Sequence, residues 1–358
     1  MDIYVETLLE QEKKQIFDKT EELSFGTVFT DRMFTMKYDV GKGWHDARIE
    51  KYKPFLVDPA ACVFHYAQEI FEGLKAYLSK EGRVLMFRPE QNAKRMNRSA
   101  QRMCMPTISE SFFVKAIKEL VMLEKQWIPR GKGTALYIRP TMIATEPVLG
   151  VHPSKRYLFF IILSPVGSYF KSGLNPIGIY VEDKLVRAVP GGVGDVKTGG
   201  NYATSLYACE QAKEKGFSQV LWLDAKEHKY VEEVGAMNIF FVYGNKIVTP
   251  MLNGSILPGI TRKSVLELAP YLGYDIEERL ISIDEVLRDI KSGKITEVFG
   301  AGTAALIAPI DSLYYKGQSY FVNNKVGGVT KNIYNNLTKI QYGEIEDKNG
   351  WVYELGRL

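Results

Sequence analysis

The spacing of apolar residues changes along the chain, and its period predicts where strands lie. Apolar and polar residues alternate over residues 25–52 and 134–141, and a period of two is typical of strands. The longest apolar run, Tyr157–Leu163, predicts a fully buried strand and is too short to cross a bilayer. Further strands are predicted after residue 177, among them a hairpin that turns at Gly244-Asn245.

Apolar residues at helical spacing predict helices in both halves of the chain. Residues 1–22 predict a short amphipathic helix with a charged face. Longer helices are predicted over residues 88–103 and 109–127. After the glycine-rich stretch that precedes it, residues 203–215 predict a helix that Gly216 ends.

The composition is that of a globular protein with room for two cores. Of the 358 residues, 46% are hydrophobic and 25% are charged, so we expect order throughout except at the termini. Glycine, serine and proline are frequent over residues 165–176, which predicts a linker. The sequence therefore predicts a first domain over residues 1–164 and a second over residues 177–358.

Charge and cysteine usage narrow the classes of function. The net charge of +4 is spread without a basic block, so we expect no nucleic-acid partner. The three cysteines form no CxxC pair and the four histidines have no metal-ligand spacing, so we expect neither a disulfide framework nor a metal site. The N-terminus is acidic and lacks an apolar or arginine-rich leader, so we expect a cytoplasmic protein without a membrane partner.

One lysine, Lys197, lies in the glycine-rich stretch GGVGDVKTGGNY, and three interpretations of it stay open. A lysine in such a loop is usually a solvated charge on a surface turn. The spacing also matches a phosphate-binding P-loop, but Val196 occupies the place of its second glycine, which disfavours that interpretation. The third is a lysine that forms a Schiff base with a cofactor aldehyde, because flanking glycines permit a close backbone approach.

A carboxylate and two turns in the second domain suit the same cofactor chemistry. In VEEVGAMNIFFV we expect one glutamate to face solvent and Glu233 to face inward, where a pyridine nitrogen needs a carboxylate partner. The Pro-Gly turn before Ile260 and Thr261 predicts a helix whose first amides bind a phosphate. In EVFGAGTAA, the Thr303 hydroxyl and the Ala304 amide can present donors to an anion.

Two groups of arginines lie in the first domain. The predicted strand TALYIRPT places Tyr137 and Arg139 on the same side, and a substrate carboxylate suits the fork of an arginine in so apolar a strand. Arg88, Arg95 and Arg102 are seven residues apart in a predicted helix and therefore share a face. In isolation such a face is typical of a solvated surface.

Seven motifs follow one another along the chain: FEGLKAY, LYIRPT, GGVGDVKTGGNY, QVLWLD, EVGAMNIFFV, ILPGITRKS and EVFGAGTAA. Together they resemble the branched-chain amino-acid aminotransferases, over nearly the whole chain from Gly26 onward. The resemblance implies a fold type IV aminotransferase of the α/β (α+β) class. It implies a smaller N-terminal α/β domain and a larger domain around a β-barrel-like core, paired as a homodimer, with pyridoxal 5′-phosphate as cofactor.

The resemblance also implies a role for each matching residue. Lys197 matches the Schiff-base lysine, Glu233 the partner of the pyridine nitrogen, and Tyr202 the hydroxyl near the phenolic oxygen of the ring. The positions that match the phosphate site are Arg95, Ile260, Thr261 and Thr303. The positions that match the substrate pocket are Phe25, Tyr66, Phe71, Tyr137, Arg139, Thr303 and Ala304. Arg88 and Arg102 match no such role and are left as solvated residues.

The implied reaction is a ping-pong transfer of the amino group of L-leucine, L-isoleucine or L-valine to 2-oxoglutarate. D-amino-acid transaminases and aminodeoxychorismate lyases share the lysine and the glutamate, and they are the alternatives within this fold type. They lack the LYIRP and VKTGGNY context.

Two departures from relatives stand out. Residues 305–308 read ALIA where mammalian relatives have a CxxC pair, so we expect no thiol switch, and Ala236 replaces a threonine of some relatives.

Overall fold

The computed structural model describes residues 1–16, 25–131, 133–167 and 174–358, which divide into two compact units. The first unit consists of Met1–Lys171, Lys197–Gly199 and Lys339–Leu358. The second consists of Ser172–Val196 and Gly200–Thr338. Among the described residues, no helix combines the length and the apolar character that crossing a bilayer requires.

The strands of the described residues are numbered in chain order. They are β1 (Tyr4–Val5), β2 (Arg32–Asp39), β3 (Gly43–Lys51), β4 (Glu69–Phe71), β5 (Leu74–Leu78), β6 (Arg83–Phe87), β7 (Ala135–Ala144), β8 (Arg156–Val166), β9 (Ile177–Glu182), β10 (Gln219–Leu223), β11 (Val231–Val234), β12 (Met237–Tyr243), β13 (Lys246–Pro250), β14 (Asp275–Arg279), β15 (Glu297–Gly302), β16 (Leu306–Tyr315), β17 (Gln318–Phe321) and β18 (Val352–Arg357).

The α-helices are numbered in the same way. They are α1 (Cys62–Tyr66), α2 (Pro89–Arg102), α3 (Glu110–Leu123), α4 (Gly200–Ala203), α5 (Leu206–Glu214), α6 (Ile260–Leu268), α7 (Ile283–Lys291) and α8 (Gly328–Gln341). Short 3₁₀ helices cover Glu10–Glu12, Lys125–Trp127 and Ala269–Leu272.

The first unit is built on one sheet with helices packed on it. Its strand order is β1-β3-β2-β8-β7-β5-β6-β18, and β4 pairs with β7. Helices α2 and α3 share a core with the sheet through residues such as Met96, Phe113 and Phe159. In β8, side chains alternate between buried and half-buried from Tyr157 to Leu163. The prediction of a fully buried strand is therefore wrong, because this strand belongs to an antiparallel sheet with one face on the core.

The second unit contains a closed barrel. Strands β11, β10, β9, β16, β15 and β12 pair in that order, and β12 pairs again with β11, which closes the ring. Strands β13 and β14 extend the sheet from β12, and β17 pairs with β16. Alternate residues of β10 belong to two different cores. Val220 and Trp222 share a core with residues of α5, and Leu221 and Leu223 share one with residues of α7. The predicted α/β class with a β-barrel-like core is confirmed.

Some predicted elements differ at their ends. Residues 1–16 form β1 and a 3₁₀ turn instead of a helix, because β1 pairs in parallel with β3; residues 17–22 of that prediction lie outside the described residues. The predicted linker 165–176 overlaps the end of β8, and its residues 168–173 also lie outside them. Residues 339–358, which we assigned to the second domain, group with the first unit because β18 pairs with β6.

Candidate active site

The backbone of Lys197 is fixed by hydrogen bonds within the first unit. Its amide donates to Ser99 Oγ of α2 at 3.0 Å, and its carbonyl accepts from the amide of Phe71 in β4 at 3.1 Å. The Thr198 hydroxyl donates to the Glu69 carbonyl at 2.7 Å. The segment Lys197–Gly199 therefore lies along β4 and is hydrogen bonded to both ends of that strand.

Gly199 shows why this segment needs glycine. A Cβ at this position would overlap the Glu69 carboxylate. The absence of a side chain thus lets the backbone come close to β4. Burial raises the pKa of Glu69, while the Gly199 amide and Arg139 act in the opposite direction.

A buried ion pair lies next to the Lys197 segment. Glu72 is fully buried, and its carboxylate receives Arg95 Nε at 2.7 Å and Arg95 Nη2 at 2.9 Å. Asn92 Nδ2 donates to the same carboxylate at 2.8 Å, and the Gly73 amide donates at 3.2 Å. Burial raises the pKa of Glu72, but Arg95, together with Lys197 and Asn92, holds this pKa below its ordinary value.

Lys197 is half-buried, and its amine lies against the ring of Phe71. Its Nζ lies 4.8 Å from the centre of the Phe71 ring. Burial lowers the pKa of Lys197 to about 8, and the positive charges of Arg95 and Arg139 add to the decrease. Glu72 and Tyr137 oppose it. Lys197 therefore combines a restrained backbone with an amine that loses its proton more easily than an exposed lysine.

Four of the predicted substrate-pocket residues are linked by contacts within the first unit. Arg139 Nη2 donates to the Tyr137 hydroxyl at 2.8 Å, and its guanidinium lies 4.7 Å from the centre of the Phe71 ring. The Phe25 ring contacts Tyr137 edge-on at 4.8 Å between centroids. Arg139 Nε is buried without a hydrogen-bond partner in the described part of the chain. Arg139 and Tyr137 thus share a face, as period-two alternation predicted.

Tyr66 has a separate environment. It ends α1, its ring lies 6.2 Å from that of His65, and its hydroxyl donates to the Leu149 carbonyl. Its side chain is more than a third exposed. The described contacts therefore do not join Tyr66 to the group around Arg139.

Glu233 anchors a second cluster, which lies in the barrel unit. It is 3% exposed, and its Oε1 accepts from the Leu257 amide at 2.8 Å and from Asn238 Nδ2 at 3.5 Å. Arg187 Nε lies 3.1 Å from Oε2, which is an ion-pair distance, although the angle is not that of a hydrogen bond. A buried carboxylate with a cationic neighbour is thus in place.

Arg187 is held by the backbone. Its Nη2 donates to the Gly194 carbonyl at 3.3 Å and to the Ser255 carbonyl. A Cβ on Gly194 would overlap the Ser255 carbonyl and Ala188, so the chain comes close here as well. Asn201 Nδ2 donates to the Val193 and Val196 carbonyls at 2.7 and 2.9 Å, which fixes the loop in front of α4.

Glu232 corrects one expectation. We expected one glutamate of the pair to face solvent, but Glu232 is 1% exposed and accepts from Asn253 Nδ2 at 3.1 Å and from the Ser255 hydroxyl. The pairing of β10 with β11 shifts register between Leu221 and Leu223, so β11 contains a bulge at the two glutamates. A bulge breaks the alternation of side chains, and both carboxylates become buried.

The start of α6 is arranged as the sequence predicted. Gly259 precedes the helix, and a Cβ there would overlap the Asn238 side chain that also contacts Glu233. Ile260 and Thr261 are the first two helical residues, and amides at these positions have no carbonyl partner within their own helix. Together with the helix dipole, they form a place where an anion can bind.

Thr303 and Ala304 lie in the tight connection between β15 and β16. The two strands pair up to Gly302 and Leu306, and Leu306 has a positive φ of 63°. Met237 packs against Gly302, where a Cβ would come within 3.2 Å of its Cγ. Tyr202 lies in α4, which begins at Gly200, three residues before the predicted helix start at residue 203.

Sequence reasoning missed several members of these clusters. Glu72 lies inside the FEGLKAY motif, and a charged residue in so apolar a segment is the signal that could have identified it. Ser99 and Asn92 carry no such signal, because their hydrogen bonds to Lys197 and Glu72 depend on where helix α2 packs. Arg187 also has none. Arg88, left as a solvated residue, is 4% exposed and stacks on Trp351 at 4.9 Å.

Comparison with known proteins places these clusters in a family. The sequence matches the amino-transferase class IV family over residues 69–313. It is 54% identical over 338 residues to branched-chain-amino-acid aminotransferase 2 of Bacillus subtilis (strain 168), covering 94% of this chain and 93% of that protein. It is 52% identical over 353 residues to branched-chain-amino-acid transaminase 1 of the same organism, covering 97% and 99%.

Solved structures agree on the fold. The branched-chain amino acid aminotransferase of Escherichia coli aligns with a TM-score of 0.76 at 27% identity, covering 91% of this chain and 99% of that one. The branched-chain aminotransferase of Thermoproteus uzoniensis, a thermophilic archaeon, was solved with norvaline. It aligns with a TM-score of 0.75 at 24% identity, covering 90% of this chain and 99% of that one.

Proposed function

This chain belongs to the class IV aminotransferases, and we propose that it is a branched-chain-amino-acid aminotransferase. The reaction is the reversible transfer of the amino group of L-leucine, L-isoleucine or L-valine to 2-oxoglutarate, which gives the branched-chain 2-oxo acid and L-glutamate. The observation that carries the proposal is the identity of 54% over 94% of the chain to a relative of that name.

We propose pyridoxal 5′-phosphate as the cofactor, and the residues present fit it. A reactive amine, a buried carboxylate and a helix start are the three groups that such a cofactor requires, and the chain supplies each of them in Lys197, Glu233 and α6. When bound, the cofactor supplies an electron sink that stabilises negative charge on the substrate Cα.

Lys197 is the residue that we assign to bond formation with the cofactor aldehyde and to proton transfer at the substrate Cα. Only the neutral amine can do either. With a pKa of about 8, about one amine in ten is neutral at pH 7, against fewer than about one in a thousand for an ordinary lysine. Burial thus prepares Lys197 for both tasks.

We assign the ring contacts to Glu233 and Tyr202. Glu233 is buried beside the Arg187 cation, an arrangement that favours an ionised carboxylate. An ionised carboxylate can accept a hydrogen bond from the protonated ring nitrogen. The Leu257 amide holds Oε1 in place. Tyr202 provides a hydroxyl from α4 for the phenolic oxygen of the ring.

We assign the phosphate to the Ile260 and Thr261 amides, with the Thr303 hydroxyl and Arg95 as further donors. The first two present N–H groups at the positive end of the α6 dipole. Arg95 contacts Glu72 through Nε and Nη2, and we assign its guanidinium charge to the phosphate as well.

The substrate pocket must accept an aliphatic side chain in one half-reaction and a γ-carboxylate in the other. We assign the aliphatic contacts to aromatic walls and the carboxylate to Arg139, whose buried Nε has no partner in the described part of the chain. The pocket residues are Phe25, Tyr66, Phe71, Tyr137, Arg139, Thr303 and Ala304.

The experiment that tests the proposed function compares amino donors with 2-oxoglutarate as the acceptor. L-leucine, L-isoleucine and L-valine are expected to give glutamate and their 2-oxo acids, while D-alanine is expected to be a poor donor. D-alanine as the best donor would overturn the substrate assignment and favour a D-amino-acid transaminase. Arg139→Lys is expected to raise the KM for 2-oxoglutarate more than that for L-leucine, because the fork is lost.

We also propose that the protein works as a homodimer. In the first unit, Phe64 of α1 is 63% exposed, and Leu149 and Val151 of the loop between β7 and β8 are 63% and 84% exposed. These segments are joined by the Val148 amide, which donates to Ala60. Exposed apolar residues in neighbouring segments are typical of an interface between subunits. Light scattering is expected to give twice the mass of the chain, and a monomer would contradict the assignment.

A further inference from the structure

We propose that Glu72 and Arg95 form a buried pair of opposite charges that sets the charge state of the Lys197 amine, with Glu72 as the positioning residue of the pair. The inference rests on the proposed role of Lys197 as the reacting amine. It adds that the protonation of this amine depends on Glu72, a carboxylate to which we assign no contact with the substrate.

The three residues are held in one rigid frame. Lys197 is hydrogen bonded through its carbonyl to Phe71, the neighbour of Glu72 in the chain. Through its amide it is hydrogen bonded to Ser99, which follows Arg95 by four residues and therefore lies on the same face of α2, one turn further along. The lysine backbone is thus tied to the elements that carry both members of the pair.

The pair itself cannot move easily. Glu72 accepts four hydrogen bonds, two from Arg95 and one each from Asn92 and the Gly73 amide, and it is completely buried. Ser99 is also completely buried. A bidentate pair whose carboxylate is completely buried has a fixed geometry, so both charges act on the amine from constant positions.

The other charged groups that face the Lys197 segment come from β4 and β7. Strand β4 brings Glu69, whose own pKa is raised by burial, and β7 brings Arg139 and Tyr137. Arg139 and Tyr137 act on the amine in opposite senses. Among all these groups, Arg95 has the largest effect on Lys197 after burial, and Glu72 comes next with the opposite sign.

Because Arg95 and Glu72 shift the pKa of Lys197 in opposite directions, their removal has opposite expected effects. A purely structural role of the pair would not produce this difference. Loss of the Glu72 charge leaves Arg95 unopposed and makes the amine release its proton at lower pH. Loss of the Arg95 charge leaves Glu72 unopposed and makes the amine hold its proton to higher pH. A double variant without either charge returns the amine close to its original state.

The test measures Lys197 directly, without turnover. Full-length protein is freed of bound carbonyl compounds with hydroxylamine and dialysed. It is then pulse-labelled with acetic anhydride across a pH series, and the acetylated fraction of Lys197 is quantified by peptide mass spectrometry. Lys213, whose side chain is 76% exposed, serves as the internal reference in every sample. The variants are Glu72→Gln, Arg95→Met and the double variant, with circular dichroism to check folding.

The expected midpoint for wild type is near pH 8. Glu72→Gln is expected to lower it by about one pH unit, Arg95→Met to raise it by about one, and the double variant to restore it. Shifts of both single variants in one direction, or no shift in the folded ones, would overturn the inference. If Arg95→Met does not fold, Glu72→Gln and the double variant still decide. Because no cofactor is present, failure here leaves the proposed reaction untouched, while failure to transaminate leaves these midpoints untouched.

Discussion

Two buried arginine–glutamate pairs, one in each unit, are built on different anchors. In the sheet unit, Arg95 directs Nε and Nη2 to the Glu72 carboxylate, at 2.7 and 2.9 Å. In the barrel unit, Arg187 directs Nη2 to two backbone carbonyls, and its Nε lies 3.1 Å from Glu233 Oε2. Arg95 is therefore held by its carboxylate, while Arg187 is held by the loop around it.

The difference separates two uses of the same residue types. A carboxylate that receives four hydrogen bonds from fixed donors is suited to give a constant field and to stabilise the fold. A carboxylate held at one oxygen by a backbone amide, with a cation at the edge of the other, is suited to a ligand contact. We expect loss of the first pair to destabilise the protein more than loss of the second.

The largest expected effect comes from breaking the pair of the sheet unit. Glu72→Ala leaves the Arg95 charge buried without its partner, which is expected to lower the free energy of unfolding by about 3–5 kcal/mol in urea titrations. Glu210→Ala, which removes one half of an exposed pair with Lys213, is the matched control and is expected to change little. A loss no larger than that of the control would show that the Glu72 pair does not support the fold.

Breaking the pair of the barrel unit is expected to cost less. Arg187→Met removes hydrogen bonds to the Gly194 and Ser255 carbonyls, and about 2–3 kcal/mol of unfolding free energy is expected to be lost in the same titrations. Arg187→Lys, which keeps the charge but cannot reach both carbonyls, is expected to be intermediate. If Arg187→Met proved more destabilising than Glu72→Ala, the ranking of the two anchors would be reversed.

The backbone anchor of Arg187 can be tested by one added methyl group. Gly194→Ala forces a Cβ against the Ser255 carbonyl and is expected to cost about 1–3 kcal/mol, measured by thermal unfolding. Gly200→Ala, at the start of α4, provides the control, since nothing lies within 4 Å of a Cβ at this position, and is expected to stay within about 0.5 kcal/mol of wild type. Equal effects of the two substitutions would remove close approach as the reason for Gly194.

The smallest effect concerns the pH dependence of stability. The folded-state pKa of Lys197, about 8, is below that of the unfolded chain, so the unfolded chain binds more protons between pH 8 and about 10.4. Stability of the wild type is therefore expected to rise with pH through this window relative to Lys197→Met. Parallel pH profiles of unfolding free energy for the two proteins would contradict the lowered pKa.

Local chemistry made much of this fold and site predictable. The Gly244-Asn245 hairpin and the start of α6 follow from turn residues, and the structure contains both. The face shared by Tyr137 and Arg139 follows from strand periodicity. These features depend on neighbours within a few residues, which the sequence shows directly.

What the sequence missed depends on partners far along the chain. The bulge that buries Glu232 beside Glu233 comes from the register of β11 against β10, which no local pattern records. The pairing of Tyr4 and Val5 with β3 replaced a predicted helix, because strand pairing outweighed the amphipathic spacing. Arg88 became buried through Trp351, more than 250 residues later.

The central claim is that Lys197 is the amine that bonds to the cofactor, and one measurement tests it most directly. Protein loaded with pyridoxal 5′-phosphate is reduced with borohydride, digested and mapped by mass spectrometry. We predict a phosphopyridoxyl group on Lys197 and its loss in Lys197→Ala. Burial also lowers the pKa of Lys75 to about 8, which makes Lys75 the matched rival within the same unit. A modified Lys75, or a modified lysine elsewhere in place of Lys197, would contradict the account.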